Sequence, residues 1–453
     1  MSLRSALQKR PDVESFFTAD RDVGPLVGGA SLTATQVSAG TLVGTVGIHY
    51  LTGVGFVWVW LPIWAGWLVS TLFVAPQLRA AGGFTVPDFL AARFGTAALR
   101  GAAAAFIAAV YLVYTTGQYV AGGVILDALV GVGGVPAAAL VAVLALSYTV
   151  SGGMRASVYS DVAQVALLVG GLLAATAIGL GDVGGLAALG TAAASVDPGL
   201  VAWNGGWRTV VALGLAFGIG TTVAPYELSR VNAMQDPDTV RSAIGVAVAI
   251  QAVVGACIAV LGVLARVQYP TLANPDAALV SLAVDLFGPV VGSLLLLAAL
   301  AAIVSTVDSV LLVTASAVAH DIYAETLPAL GVTDDPGQHH VLSLARATIV
   351  AAAAVPVGLT AAAGALGGLV QFIVALYASL LGATLFAPLL AALHWPGTTG
   401  IGAAAGMVAG FAAAAGWHVL SAPGGPVADV VVVDPVVPGV AASALAVVAV
   451  SRW

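Results

Sequence analysis

Ala301-Ala302-Ile303-Val304-Ser305-Thr306-Val307-Asp308-Ser309 sets one carboxylate and three hydroxyls inside a long apolar segment. At a bilayer centre an Asp costs about 2.5–3.5 kcal/mol on insertion scales. On a helix Ser305, Asp308 and Ser309 fall at i, i+3 and i+4 and share one face, with Thr306 beside it. Oxygens gathered in a dry place are a cation site or a proton site.

The rest of the chain fits a membrane setting. Of 453 residues 60% are hydrophobic and only 8% charged, with mean hydropathy +1.05, whereas soluble domains carry about 25% charged residues. The expected fold class is an all-α polytopic membrane protein in the plasma membrane. Period-2 alternation is absent, which argues against a β-barrel. The single cysteine, Cys257, has no partner for an internal disulfide and reads as helix packing. The first 22 residues are charged and polar, so no cleavable signal peptide is expected. No Walker motif, nucleophile triad or basic nucleic-acid patch is present, so neither an enzyme nor a nucleic-acid partner is expected. His339-His340 is a loop pair, and no cluster with metal-ligand spacing is visible.

About twelve spans are expected, over 25–49, 53–77, 98–130, 136–151, 156–181, 208–228, 239–267, 288–318, 342–363, 366–393, 399–420 and 437–451. With a cytoplasmic N-terminus, Arg4, Lys9, Arg10, Arg21, Arg79, Arg93, Arg100, Arg155, Arg230, Arg241, Arg346 and Arg452 lie inside, and only Arg208 and Arg266 outside. That asymmetry puts both termini in the cytoplasm. The first span carries Thr35-Gln36 followed by Ser38-Ala39-Gly40, and the sixth carries Gly218-Ile219-Gly220-Thr221-Thr222 before Pro225. Glycine and proline both weaken a helix. Breaks at corresponding places in two five-helix halves point to a midplane binding site, although such clusters also serve as plain helix packing in lipid.

In order along the chain stand SFFTADRDVGPLVGGASLTATQVSAGT (15–41), FTVPDFLAARFG (84–95), SYTVSGGMRASVYSDVAQ (147–164) and AAIVSTVDSVLLVTASAVAHDIY (301–323), with weaker echoes at 224–233 and 394–406. By these stretches the chain resembles, from about Phe16 to about Gly410, the sodium:solute symporter family of sodium-coupled sugar, proline, pantothenate and sialic acid carriers. The resemblance implies a five-plus-five inverted-repeat (LeuT-type) core. Residues 1–24 would be a cytoplasmic N-terminal segment, 25–181 the first repeat, 208–393 the second, and 399–453 two peripheral helices and the C-terminus. Family members usually carry an extra helix before the core, with the N-terminus outside; here only about 22 polar residues precede the core, in agreement with the arginine asymmetry.

The family's first sodium site, carried onto this chain, takes the carbonyls of Ala34, Val37 and Ala302 and the hydroxyls of Ser305 and Thr306. A broken first helix frees carbonyls that need a hard cation or another partner. The alternative for the two hydroxyls is back-bonding to the carbonyl four residues earlier. A second site, for another sodium or for a proton, maps to Asp161, Ser305, Asp308 and Ser309; water or Arg155 are alternative partners for Asp161. One sodium ion, or two, is thus expected, with no organic cofactor.

Solute-lining candidates are Gln36, Ser38, Thr41, Trp60, Trp64, Tyr119, Thr222, Gln371 and Ser379, each of which could equally be helix packing. The acidic and hydroxyl groups that sugar carriers hold on the second helix are missing, Ile63 standing at one such position, so a sugar is disfavoured. A small carboxylate, amino acid or vitamin fits better, because broken helix ends present unpaired N–H groups and no Arg or Lys lies in the predicted core. Glu227 and Arg230 are spaced for a local pair, and His320-Asp321 open a cytoplasmic loop. The expected function is sodium-coupled symport of a small organic solute by a monomer. The alternatives are a proton-coupled carrier on the same fold, or a transporter-like sensor or channel.

Overall fold

The computed structural model describes residues 13–80, 83, 85–362, 370–421 and 433–452. The expected inner charges Arg4, Lys9 and Arg10, and the expected join at 363–366, lie outside the described residues. Among those described, the regular structure is helical, apart from one isolated bridge between Val23 and Met234.

Local chemistry sets the helix starts. Pro25, Pro225 and Pro237 open their helices, where a missing N–H costs nothing. Thr85 and Asp88 form a capping box ahead of Val86–Phe94. Among the described residues, eight helices are long and apolar enough to cross a membrane, or nine if the bent pair Trp207–Val223 and Pro225–Asn232 is one span. Shorter apolar helices lie at Gly134–Ser147, Leu186–Val196 and Val436–Ser451. Two expected joins sit inside continuous apolar stretches. Gly53 (φ +77) opens the expected second span, and Gly153 (φ +55) falls between the fourth and fifth. A Cβ on Gly153 would lie 2.6 Å from the Phe16 carbonyl oxygen, so both backbone and space demand glycine there.

The eighth helix is longer than expected. Gly288–Ala315 continues through a π-type stretch, Ser316–Thr326, so His320 and Asp321 sit on helix rather than opening a loop. The spans Gly288–Ala329 and Val370–His394 bury 67% and 83% of their most apolar stretch, against 28% for Gly152–Val183 and Gly400–Ser421. The first two therefore form the centre. The outer helices turn large apolar side chains such as Leu173, Ile401 and Val408 outward, a surface that lipid and not water covers.

At that centre the first half of the first helix, Pro25–Gln36, packs against Pro237–Gln268, Gly134–Val183, Pro225–Asn232 and Gly288–Ala315. Its second half, Thr45–Thr52, lies beyond a π-type stretch Gly40–Gly44. The functional groups gather around this divided helix.

Candidate functional site

Both expected breaks are present. The first helix ends at Val37 (ψ 96) and resumes after Ser38-Ala39; the sixth is interrupted at Ala224 (ψ 111) and bends by 41°. Each break frees backbone groups that must find partners in a dry interior. One helix supplies a donor's partner at both. Gln118 Oε1 accepts from the Ala39 amide at 2.9 Å, and Tyr111 Oη accepts from the Tyr226 amide at 3.0 Å. Both side chains stand on the third helix, Ala97–Val130, seven residues apart on one face. The expectation that these ends offer unpaired N–H groups to an anion is therefore corrected at both amides. Sequence reasoning passed over Tyr111, Tyr114 and Gln118, although their helical spacing marks a polar stripe in an apolar span.

On the carbonyl side, Thr306 Oγ1 lies 3.5 Å from the Ala34 oxygen, 3.3 Å from that of Thr35 and 3.1 Å from that of Ala302. Oxygens of the first and eighth helices thus converge, and Thr306 both faces the break and back-bonds to Ala302. Val37, fully buried, ends the helical half that carries Ala34. Ser305 Oγ donates to Asp161 Oδ1 at 2.9 Å and keeps lone pairs for a cation.

Asp161, Ser305, Asp308 and Ser309 are all fully buried and share a neighbourhood, but a side chain expected elsewhere stands among them. Arg230 is 1% exposed, and its Nη2 lies 3.6 Å from Asp161 Oδ2 and 3.9 Å from Asp308 Oδ2. The same nitrogen donates to Ser309 Oγ at 2.6 Å and to Ser157 Oγ, while Nε reaches Thr35 Oγ1 at 3.3 Å. Asp161 also accepts from Ser31 at 2.5 Å, and Asp308 Oδ1 from Thr149 at 2.5 Å, leaving Asp308 Oδ2 without a hydrogen-bond donor. Two expectations fall here. An arginine does lie in the core, carried in by Pro225–Asn232, and its ion pairs are with two distant aspartates and not with Glu227. Arg155 pairs with Asp20 at 3.4 Å and leaves Asp161 to Arg230. The signal in the sequence was two intramembrane aspartates that call for a counter-charge.

A separate cavity opens on the other side of the first break. Gln36, Ser38, Thr41, Trp60 and Gln371 line it, together with Ile63, Phe217 and the rings of Tyr114, Tyr226 and Tyr377. Gln36 Oε1 and Trp60 Nε1 are buried without a hydrogen-bond partner, and none of the lining side chains is charged. The other four candidates are engaged outside this wall. Trp64 Nε1 donates to Gln251 at 3.0 Å, and Tyr119 Oη to the Ala353 carbonyl at 3.1 Å. Thr222 back-bonds to Gly218 at 2.9 Å, and Ser379 donates to Asp434 at 2.6 Å. Behind the tyrosines Glu227 accepts from Trp67 Nε1 and, at 3.1 Å, from Tyr226 Oη, which lies 3.0 Å from Tyr377 Oη. The Tyr114 and Tyr377 rings stack at 3.7 Å.

The absence of any metal-like cluster is also corrected. Asp88, His320 and Asp321 place ligand atoms within 4.8 Å of one another. The fold, not sequence spacing, joins them, and Arg100 already stands 3.4 Å from Asp88 and 2.5 Å from Glu325.

The model of the sodium:solute symporter family matches residues 16–410. The high-affinity proline transporter PutP of Bacillus subtilis is 28% identical over 91% of this chain and 88% of its own length. Sodium/proline symporter 2 of Staphylococcus saprophyticus is 25% identical over 98% and 88%. Among solved structures, a Na+-coupled sialic acid symporter in a substrate-bound outward-open state superposes with TM-score 0.78 at 20% identity, covering 97% of this chain and 92% of that one. A nucleobase-cation-symport-1 family transporter in a closed conformation gives TM-score 0.54 at 17% identity, over 98% and 95%.

Proposed function

Because the chain belongs to the sodium:solute symporter family, we propose that it takes up a small zwitterionic solute of the amino-acid class, proline foremost, together with sodium bound between the first and eighth helices. The fold is the LeuT-type five-plus-five architecture in a multi-pass membrane protein, and the chemistry is sodium-coupled symport of a small solute. The observation that carries the substrate class is the neutral cavity wall with two unpaired polar atoms, Gln36 Oε1 and Trp60 Nε1. An acceptor suits an ammonium, a donor suits a carboxylate, and tyrosine and phenylalanine rings cover apolar carbons and favour a cation. A solute with net negative charge finds no counter-charge in that wall. The names of the proline carriers cited above support the same class.

Ala34, Val37, Ala302, Ser305 and Thr306 hold the sodium in this reading. The repeats are 25–181 and 208–393, after a cytoplasmic segment 1–24 and before the peripheral part 399–453. The monomer lies in the plasma membrane with both termini cytoplasmic and has no nucleic-acid partner. The pairing of Arg155 with Asp20, and of Arg79 with the Gln235 carbonyl, agrees with one basic end; Arg266 lies over the Tyr50 ring, in a segment read as outside. Sodium and solute bound together favour one arrangement of the repeats, and rocking of the core around the midplane exposes them to the other side.

The test is radiolabelled proline uptake into proteoliposomes under an inward sodium gradient, with competition by amino acids, sugars and dicarboxylates. Sodium-dependent accumulation competed by amino acids alone is expected. Accumulation of a sugar or a dicarboxylate instead overturns the substrate class. Glu227, buried and with no ion pair among the described residues, favours a second reading in which a proton replaces sodium. Uptake that persists without sodium and rises with acidity would establish it.

A further inference from the structure

We propose that the Arg230 guanidinium is the resident cation of the pocket formed by Asp161, Ser305, Asp308 and Ser309, so that the carrier binds one sodium ion and not two. The inference rests on the first-site reading above and adds the stoichiometry. The guanidinium contacts the hydroxyl of Ser309 and lies near both carboxylates, the oxygens that a second sodium would need. It is held further by Ser157 and by Thr35, in the last helical turn before the first break. A side chain so fixed and so buried does not yield its place to an ion that would itself have to shed water.

Charge leads to the same count. With both carboxyls ionised, two aspartates and one arginine leave a single negative charge in a region sealed from water. Asp308 Oδ2, which lacks a hydrogen-bond donor, is where that surplus is least satisfied. One sodium at the neighbouring first site, a hydroxyl away through Ser305, cancels it. A second sodium would leave an uncompensated positive charge in low dielectric. Arg230 thus sets cation stoichiometry as a positioning residue that also tunes the first site through Ser305, Ser309 and Thr35.

The experiment is equilibrium binding of radioactive sodium alone to the purified full chain. The wild type is expected to bind one ion per chain with a Hill coefficient of about 1, as independent single-site binding requires. Arg230→Gln is expected to bind two, and Arg230→Lys, which keeps the charge, one. A purely structural arginine would not raise the ion count when removed. If Arg230→Gln does not fold, Asp308→Asn serves: the pocket is then neutral before sodium enters, and sodium affinity falls by at least about tenfold. Two ions in the wild type, one ion in folded Arg230→Gln, or unchanged affinity in Asp308→Asn overturns the proposal. No bound sodium in the wild type overturns the first-site reading, and this inference with it.

Discussion

Tyr111→Phe keeps the ring that packs edge-on to Tyr226 at 5.9 Å and deletes only the oxygen that accepts from the Tyr226 amide at 3.0 Å. The amide lies at the break of the sixth helix among fully buried tyrosines, so water does not replace the lost partner. A buried N–H left unpaired costs about 1–3 kcal/mol. Local opening at this position should then become about 5- to 150-fold more frequent. Gln118→Leu should do the same to the Ala39 amide at the first break, where the bond is 2.9 Å. The assay is hydrogen exchange by mass spectrometry in nanodiscs, following peptides over 37–41 and 224–228. Each substitution should speed exchange at its own break and leave the other protected, because seven residues of helix separate the two caps by about 10 Å, beyond the range of direct coupling. Exchange unchanged at both breaks would refute the claim that the third helix holds them. Equal acceleration at both would refute the claim that each cap acts alone.

Thr306→Ala removes an oxygen from the convergence on Ala34 and Ala302; the sodium-induced rise in melting temperature should require about tenfold to 150-fold more sodium, as for the loss of one charge-assisted contact of about 1.5–3 kcal/mol, while Thr306→Ser stays near wild type. Gly66→Ala would bring a Cβ to 2.3 Å from the Gly218 carbonyl oxygen, where backbone meets backbone; thermal unfolding should report a loss of about 1–3 kcal/mol, typical of overpacking. Asp434, at the start of the last helix, is pushed up to about 6 by burial, against the pull of its Ser379 and Val436 donors. Because the folded value lies above the unfolded one, stability should fall as pH rises from about 4 to about 6 and then level off, and Asp434→Asn should flatten that slope in a melting series.

What the sequence made readable was what period and composition encode. The spans follow from apolar runs, the breaks from Ser38-Ala39-Gly40 and Pro225, and the shared face of Ser305, Asp308 and Ser309 from helical geometry. Side-chain direction across helices has no such signature. Thr222 and Ser379 look polar in an apolar setting, yet back-bonding absorbs Thr222 and Asp434 takes up Ser379, and nothing local separates them from Thr41, which faces the cavity. Arg230 was misassigned because i, i+3 spacing suggested Glu227. The short helix instead directs Arg230 toward the fifth and eighth helices and Glu227 toward Trp67 of the second. That choice depends on which distant helices flank the segment, and no window of sequence holds it.

On the proposed sodium site, the division of labour around the first break lets ion and solute couple without touching the same side chains. Ala34, on the helical half before the break, turns its carbonyl toward Thr306, whereas Gln36, the last residue of that half, and Ser38 and Thr41, within and after the break, face the cavity. A cation that draws Ala34 and Ala302 together must fix the pitch of the first half-helix, and the next residues inherit that pitch. Thr41 already bridges the gap, accepting from the Ser38 amide and donating to the Gln36 carbonyl, both at 3.3 Å. Ordering by sodium therefore presents Gln36 and Ser38 in one geometry before solute arrives, and solute pays less ordering entropy to bind. Reciprocity then requires solute to raise sodium affinity by the same factor. Coupling on this account resides in three or four residues of unwound chain. Arg230, bonded to Thr35 in the last helical turn before that segment, joins it to the aspartates of the fifth and eighth helices.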